Sequence, residues 1–223
     1  MRGFRRVLFF TLCATLLSAC ELPPFLDPRI AELCRAHSNN VLIFSWQHER
    51  RAVPVAPEMT REEDAEWRAL LSLPPYNPVP DPALDRLSRP ISAVAQFGEG
   101  WLVGTDMGEW FGDLFFVQPG RSPQRLAHGN VHALVQTTNG VYALFGLAHL
   151  GSDEGSYRLV TSSGGGVSIG DEHPLPGSPL AVARDGDATF VSGGGLNGLR
   201  TWARVFRQGE PIQATVSPAC RWS

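Results

Sequence analysis

The chain has 223 residues with 22 acidic and 19 basic side chains, a formal charge of −3, and every one of the basic residues is an arginine. An acidic chain with no arginine cluster lacks the phosphate-tracking surface of a nucleic-acid binder, and the absence of lysine fits a GC-rich coding bias better than a task specific to guanidinium. The length is enough to bury one full core and fits a single domain.

The first nineteen residues stand apart from the rest. Arg2, Arg5 and Arg6 make a cationic start, Val7 to Leu17 form an apolar run too short to span a bilayer, and small residues lead to a cysteine in Leu17-Ser18-Ala19-Cys20. This is the pattern of a cleaved export signal. Its end resembles the lipobox of bacterial lipoproteins. That resemblance implies cleavage after Ala19, with acyl chains on the sulfur and new amine of Cys20. Several acyl chains, at about 0.8 kcal/mol per buried methylene, anchor a protein that does not itself span the bilayer. Glu21 follows the cysteine in place of the aspartate that favours inner-membrane retention in enteric members of the family. The implied address is therefore the periplasmic side of the envelope, at the outer membrane rather than the inner.

Loss of residues 1–19 takes three arginines and no acid, so the formal charge falls from −3 to −6. It also removes Cys13. With Cys20 lipidated, Cys34 and Cys220 remain, one near each end, in a compartment where disulfides persist. A Cys34 to Cys220 disulfide is the simplest expectation, with two buried free thiols as the alternative.

Residues 20–26 read as a short tether. Asp27-Pro28 then marks a helix start, with Ile30, Leu33 and Cys34 on one face. Val41 to Trp46 is a β-favouring run after the turn residues Asn39-Asn40. Thr60 with Glu63 spells a capping box ahead of a short amphipathic helix carrying Trp67, Leu70 and Leu71. Six prolines between residues 74 and 90 exclude long regular elements there, although Asp81-Pro82 could open one more helical turn.

From Ile91 to the end, at 223, short β-type runs recur between glycines. Three units share one plan: Ile91 to Ala95 and Trp101 to Gly104; Val131 to Val135 and Val141 to Gly146; Pro179 to Ala183 and Ala188 to Gly193. Third runs follow at Leu114 to Val117, Tyr157 to Thr161 and Trp202 to Phe206, and fourth strands fit near Arg125, Val167 to Ile169 and Ile212 to Val216. Asn139-Gly140 and Asp185-Gly186 are hairpin signals of the type I′ kind. Three meanders of roughly 40 to 50 residues resemble the blades of β-propellers. Gly100-Trp101-Leu102-Val103-Gly104-Thr105 resembles, over that one strand, the tryptophan-glycine-threonine strand of two-component-regulator propellers. The expected fold is mainly β, with propeller-like antiparallel meander repeats behind a short helical N-terminal segment and residues 27–90 and 91–223 packed as one domain. A β-sandwich is the alternative. Three units do not close an ordinary propeller, so Val41 to Trp46, Val53 to Val55 and Cys220 to Trp222 are expected to supply a composite unit that joins the ends.

Loops 105–113, 146–156 and 192–201 would share one face of such repeats, and long loops on a rigid sheet scaffold are where binding concentrates. They carry Asp106, Glu109, Trp110 and Asp113; His149, Asp153 and Glu154; and Asn197 and Arg200. Asp106, Glu109, Trp110, His149 and Asp153 are the candidate binding residues, an acidic and partly aromatic set suited to a cationic or sugar-like partner. Asp106 with Glu109 could act as an acid and base pair on a glycan, but spacing in a glycine-rich loop does not set that geometry. His128, His132, His149 and His173 lie on separate loops and strands and do not share the helical face of a metal site. No cofactor, metal or catalytic group is expected. The reading is a membrane-anchored periplasmic lipoprotein that binds a partner protein, in its specific form an immunity or inhibitor protein against a cell-envelope hydrolase. The alternatives are an assembly lipoprotein of an envelope complex and a hydrolase acting on glycan or peptide.

Overall fold

The computed structural model describes residues 27–38, 40–77, 86–149, 152–163, 166–194, 200–207 and 211–220. The signal, Cys20, the tether, the Asp81-Pro82 turn, Asn197 and the strand end at 221–222 lie outside the described residues.

Two helices precede the repeats. Helix α1, Pro28–Ala36, starts where the Asp27 carboxylate accepts the Arg29 N–H at 2.9 Å. Helix α2, Arg61–Leu71, starts on the complete Thr60 and Glu63 capping box. Its buried face differs from the expected one: Leu70 is exposed, and Asp64, Trp67, Arg68 and Leu71 face inward. Those four recur at three- and four-residue intervals and form one stripe, which leaves Leu70 turned toward solvent.

The rest is antiparallel β. Strands β1 (Val41–Trp46) and β2 (Glu49–Pro54) form a hairpin between the helices. The first meander is β3 (Ile91–Phe97), β4 (Gly100–Thr105), β5 (Asp113–Val117) and β6 (Gln124–His128), paired in chain order. The second comprises β7 (Val131–Thr137), β8 (Gly140–His149), β9 (Ser152–Ser163) and β10 (Gly166–Ile169). It gains an unexpected fifth strand, β11 (His173–Leu175), on β9. The third comprises β12 (Pro179–Asp185), β13 (Ala188–Gly194), β14 (Arg200–Phe206) and β15 (Ile212–Pro218).

The hairpin signals are realised with a different turn. Gly98 and Gly186 open two-residue turns at φ +56° and +59°, where a side chain would be strained, whereas Asn139 has no positive φ. A single positive φ at the first position belongs to the II′ family and not to I′.

The three sheets stack through apolar layers. Leu102, Leu114 and Phe116 of the first meet Leu134, Val141, Phe145 and Val160 of the second. The opposite face of the second, with Tyr142 and Leu144, packs on Val191, Trp202 and Phe206 of the third. The first strands of the meanders, β3, β7 and β12, are neighbours, as inner strands of propeller blades are. The ring does not close among the described residues. Helix α2 covers the outer side of the first sheet, where Trp67 meets Trp101 edge-on at 5.0 Å.

At the other end, β1 and β2 do not build a separate composite unit. They extend the third meander, in the order β12-β13-β14-β15-β1-β2. That six-stranded sheet curls until Val55 bridges Ala183 and the Ala56 N–H donates to the Val182 carbonyl at 2.7 Å. Phe44, Phe190 and Val205 fill the curl, with alanines at 183, 188 and 203 making room for the rings. Helix α1 lies on the outer side of β1, and Cys34 and Cys220 stand at disulfide distance, Sγ–Sγ 2.13 Å and Cα–Cα 5.7 Å.

Candidate functional site

The connection between β4 and β5 is a short polar loop with a fixed shape. Asp106 Oδ1 accepts the Gly108 N–H at 2.8 Å, which folds Gly108–Trp110 into one 3-10 turn. Phe111 then takes φ +57°, an unusual angle for a bulky side chain. Two buried side chains hold this shape from beneath. Asn130 donates to the Gly108 carbonyl at 2.6 Å and accepts the Met107 N–H at 3.3 Å. Arg89 donates to the carbonyls of Trp110, at 3.0 Å, and of Phe111. Burial lowers the Arg89 guanidinium from its ordinary value, Asp113 opposing that shift and Arg86 adding to it.

What the held loop presents is aromatic. Trp110 is 49% and Phe111 41% exposed, and Phe111 lies 5.2 Å from the His128 ring. Below them Asp113 has no exposed surface. Its Oδ1 is 3.0 Å from His128 Nδ1, 3.1 Å from an Arg86 nitrogen and 3.8 Å from an Arg125 nitrogen. Next to this cluster, between the first two meanders, opens a cleft of about 160 Å³. Phe111, Phe145 and Leu147 supply its apolar lining, His128 a polar aromatic ring, and Glu154, Arg158 and Glu172 its charged lining. Its remaining residues are Ser156, the glycines at 129, 146 and 155, and Asn130.

The sequence-derived binding residues divide between surface and interior. Glu109 and Trp110 are exposed on the loop. Asp106 also reaches inward: its Oδ2 is 3.6 Å from His132 Nδ1, and His132 Nε2 is 3.1 Å from the Gly146 carbonyl and 3.4 Å from Ser178 Oγ. Asp153 Oδ1 accepts the Ser178 N–H at 2.6 Å, while its Oδ2 is buried without a hydrogen-bond partner. His149 ends β8, and its side chain lies outside the described residues.

Asp106, His132 and Ser178 thus follow one another like a nucleophile relay. However, Ser178 has no exposed surface, and His132 Nε2 is nearer the Gly146 carbonyl than the hydroxyl. The chain of contacts links the loop after β4, the start of β7 and the residue before β12, so it ties the three meanders together. The histidines go separate ways: His128 to Asp113, His132 to Asp106, and His173 onto the Tyr157 ring at 5.0 Å. Among the described residues no group of three or more His, Cys, Asp or Glu is placed to hold a metal ion.

The expected loop 146–156 is largely strand. Leu147 pairs with Glu154, Ala148 with Asp153 and His149 with Ser152, so β8 and β9 project as a long hairpin beside the cleft. Its glycines reflect close packing: a Cβ on Gly155 would overlap the Gly177 carbonyl, and one on Gly146 would overlap Ser178 Oγ. Sequence reasoning also missed Phe111, Arg89, Asn130 and Glu172. Of these only Phe111, adjacent to Trp110 in a polar loop, carries a signal in the sequence. No protein-family model, curated protein or solved structure matches the chain.

Proposed function

We propose that the chain is a lipid-anchored protein of the bacterial envelope that binds another protein through the Glu109-Trp110-Phe111 loop and the cleft beside it. The observation that carries this reading is the held aromatic pair. Two large rings stay exposed on a loop whose backbone is secured by buried Asn130 and Arg89. Exposed aromatics on a pre-ordered backbone are the make-up of an interface anchor, because little ordering cost remains at binding. The cleft is small, which suits one inserted side chain better than an extended substrate.

The lipobox ending at Cys20 supports the envelope address, and the charge of −6 after loss of residues 1–19 supports a basic partner. An incoming cell-wall or membrane hydrolase is such a partner, and the protein would then act as its immunity or inhibitor protein. Labelled palmitate should enter the wild type and not Cys20→Ser. A photo-reactive side chain at position 110 should give a discrete protein adduct in intact cells, and the same group at exposed Leu180 should not. Equal adducts at both positions would remove the binding reading. Unchanged toxin sensitivity after gene deletion would remove the immunity form, and stable co-purification with an envelope assembly regardless of Trp110→Ala would favour the assembly role.

A further inference from the structure

We propose that the body stands on the bilayer by the half that holds α1 and the curled sheet, and carries the Glu109-Trp110-Phe111 loop away from the membrane to meet a soluble, basic protein arriving from the aqueous side. The inference rests on the lipid-anchor and partner-binding readings and adds the side from which the partner comes.

The layers give the first argument. Helix α1, which Asp27 caps at the end of the tether, lies outside β1. Across the curl, Phe44 of β1 stands against Phe190 of β13 with ring centroids 4.9 Å apart. The next residue, Val191, points the other way onto the second meander, and the second meander packs on the first. Four layer steps therefore separate α1 from the first meander, about 40 Å at about 10 Å per step.

Strand direction adds to that separation. Asn130, just before β7, donates to the Gly108 carbonyl, so the loop sits at the end where β7 begins. Ser178, just before β12, reaches His132 of β7 at 3.4 Å and places the start of β12 at the same end. The antiparallel order from β12 to β15 returns Cys220 there, and through the disulfide Cys34 in the last turn of α1. Asp27, at the first turn, points the tether toward the opposite end. The seven chain steps from Cys20 to Asp27 span at most about 25 Å. The α1 half is thus kept near the headgroups while the loop occupies the far corner.

Charge gives the second argument. Residues 27–56 and 179–223, the segments of α1 and the curled sheet, hold nine arginines and six acids, a formal +3. Residues 57–178, the segments of α2 and the first two meanders, hold seven arginines and fifteen acids, a formal −8. An anionic phospholipid surface attracts the first half and repels the second, so the field favours the orientation that the tether sets. The acidic half faces outward with the loop, which suits a basic protein of the cell wall better than one embedded in the bilayer.

The test uses the lipidated full chain in vesicles of phosphatidylethanolamine and phosphatidylglycerol with an acceptor dye on the headgroups. A donor dye is placed by His48→Cys, in the exposed turn between β1 and β2, or by Glu109→Cys, in the loop. Energy transfer should be several-fold stronger from position 48 than from position 109, and vesicles of phosphatidylcholine alone should narrow the difference. Equal transfer, or stronger transfer from position 109, would overturn the orientation, and a difference unchanged in phosphatidylcholine would overturn its electrostatic cause. The position-110 adduct should contain a protein of the soluble periplasmic fraction, and an adduct with an integral membrane protein would overturn the partner class. Wild type that carries no lipid would reject the anchor reading beneath the inference, and a lack of any adduct would reject the partner reading. Equal transfer from lipidated protein that still gives the adduct would reject the orientation alone.

Discussion

Asp64 and Arg68 form an enclosed ion pair on helix α2, with Nε 2.6 Å from Oδ2 and both residues buried. The pair is the joint between the helical segment and the first meander. Asp64 Oδ1 accepts the Ile91 N–H at 2.7 Å, at the first residue of β3. Arg68 donates to the carbonyls of Pro74 and Leu87 at 2.7 Å each and to that of Arg89. One guanidinium therefore satisfies carbonyls at Pro74, Leu87 and Arg89, in a proline-rich segment that forms no strand among its described residues.

Removing one partner leaves the other as a buried, uncompensated charge. Arg68→Ala is expected to cost about 3 to 5 kcal/mol, far above a surface i,i+4 pair. The paired exchange Asp64→Leu with Arg68→Met should recover part of that loss, though it leaves the freed carbonyls unmatched. Chemical denaturation of the two variants checks this, and a cost below about 1 kcal/mol for Arg68→Ala would show that the pair behaves as a surface bridge.

The capping box at the start of α2 gives a pH signature. The Glu63 carboxyl is held below its ordinary value of 4.5 by the Thr60 backbone N–H and then by the Thr60 hydroxyl, with burial opposing slightly. A carboxyl whose folded value is depressed contributes stability that is present above the unfolded value and is lost as pH falls through the folded one. Wild type should thus lose more stability than Glu63→Gln on acidification from about pH 7 to about pH 3, since the glutamine can still serve the box but does not titrate. Thr60→Ala should cost about 1 kcal/mol at neutral pH. Parallel acid profiles for wild type and Glu63→Gln would contradict the assignment.

Cys34 and Cys220 are separated by 186 positions, nearly the whole folded chain. In the chain-entropy model a loop of that length is worth about 5 kcal/mol, with native strain reducing the yield. Reduction should lower the denaturation midpoint and retard the protein on a non-reducing gel, and Cys34→Ser should reproduce both effects. The cross-link matters because α1 and the end of β15 meet on the outer side of the curled sheet, where helix α1 buries few apolar groups.

Local signals were legible wherever chemistry and spacing sufficed: the Asp27 cap, the Thr60 box, the place of the hairpin at Asp185-Gly186 though not its turn type, and the fourth strands of the meanders. What escaped depends on contacts distant in sequence. Gly146 and Gly155 look like loop residues, yet they sit within strands because Ser178 and Gly177 press against their backbone. Asp64 and Arg68 look like a solvent-facing i,i+4 pair until Ile91 and the carbonyls near Leu87 arrive to meet them. The hairpin of β1 and β2 is expected to join the ends of the chain, and pairing of Val216 with Phe44 does join them, but nothing local marks the edge of the third meander as its place. The cleft was hidden for the same reason: its walls come from the loop after β4, the end of β6, the β8 and β9 hairpin and Glu172.

The shape of the loop after β4 depends on a residue the loop does not contain. Asn130, 2% exposed, supplies both the donor to the Gly108 carbonyl and the acceptor for the Met107 N–H. Asn130→Ala leaves Trp110 and Phe111 in place chemically but frees the turn that presents them. The groups released are near solvent and can turn to water, so the cost in global stability should stay at about 1 to 2 kcal/mol. Ordering the loop again at binding adds about 0.5 to 1.5 kcal/mol for each side chain that must be immobilised, so partner affinity should fall about tenfold with two rings involved. Hydrogen exchange should quicken at residues 106–112 and remain slow in β4 and β5. If exchange in the loop is unchanged while binding weakens, Asn130 contacts the partner itself; if both are unchanged, the loop is held by Arg89 alone.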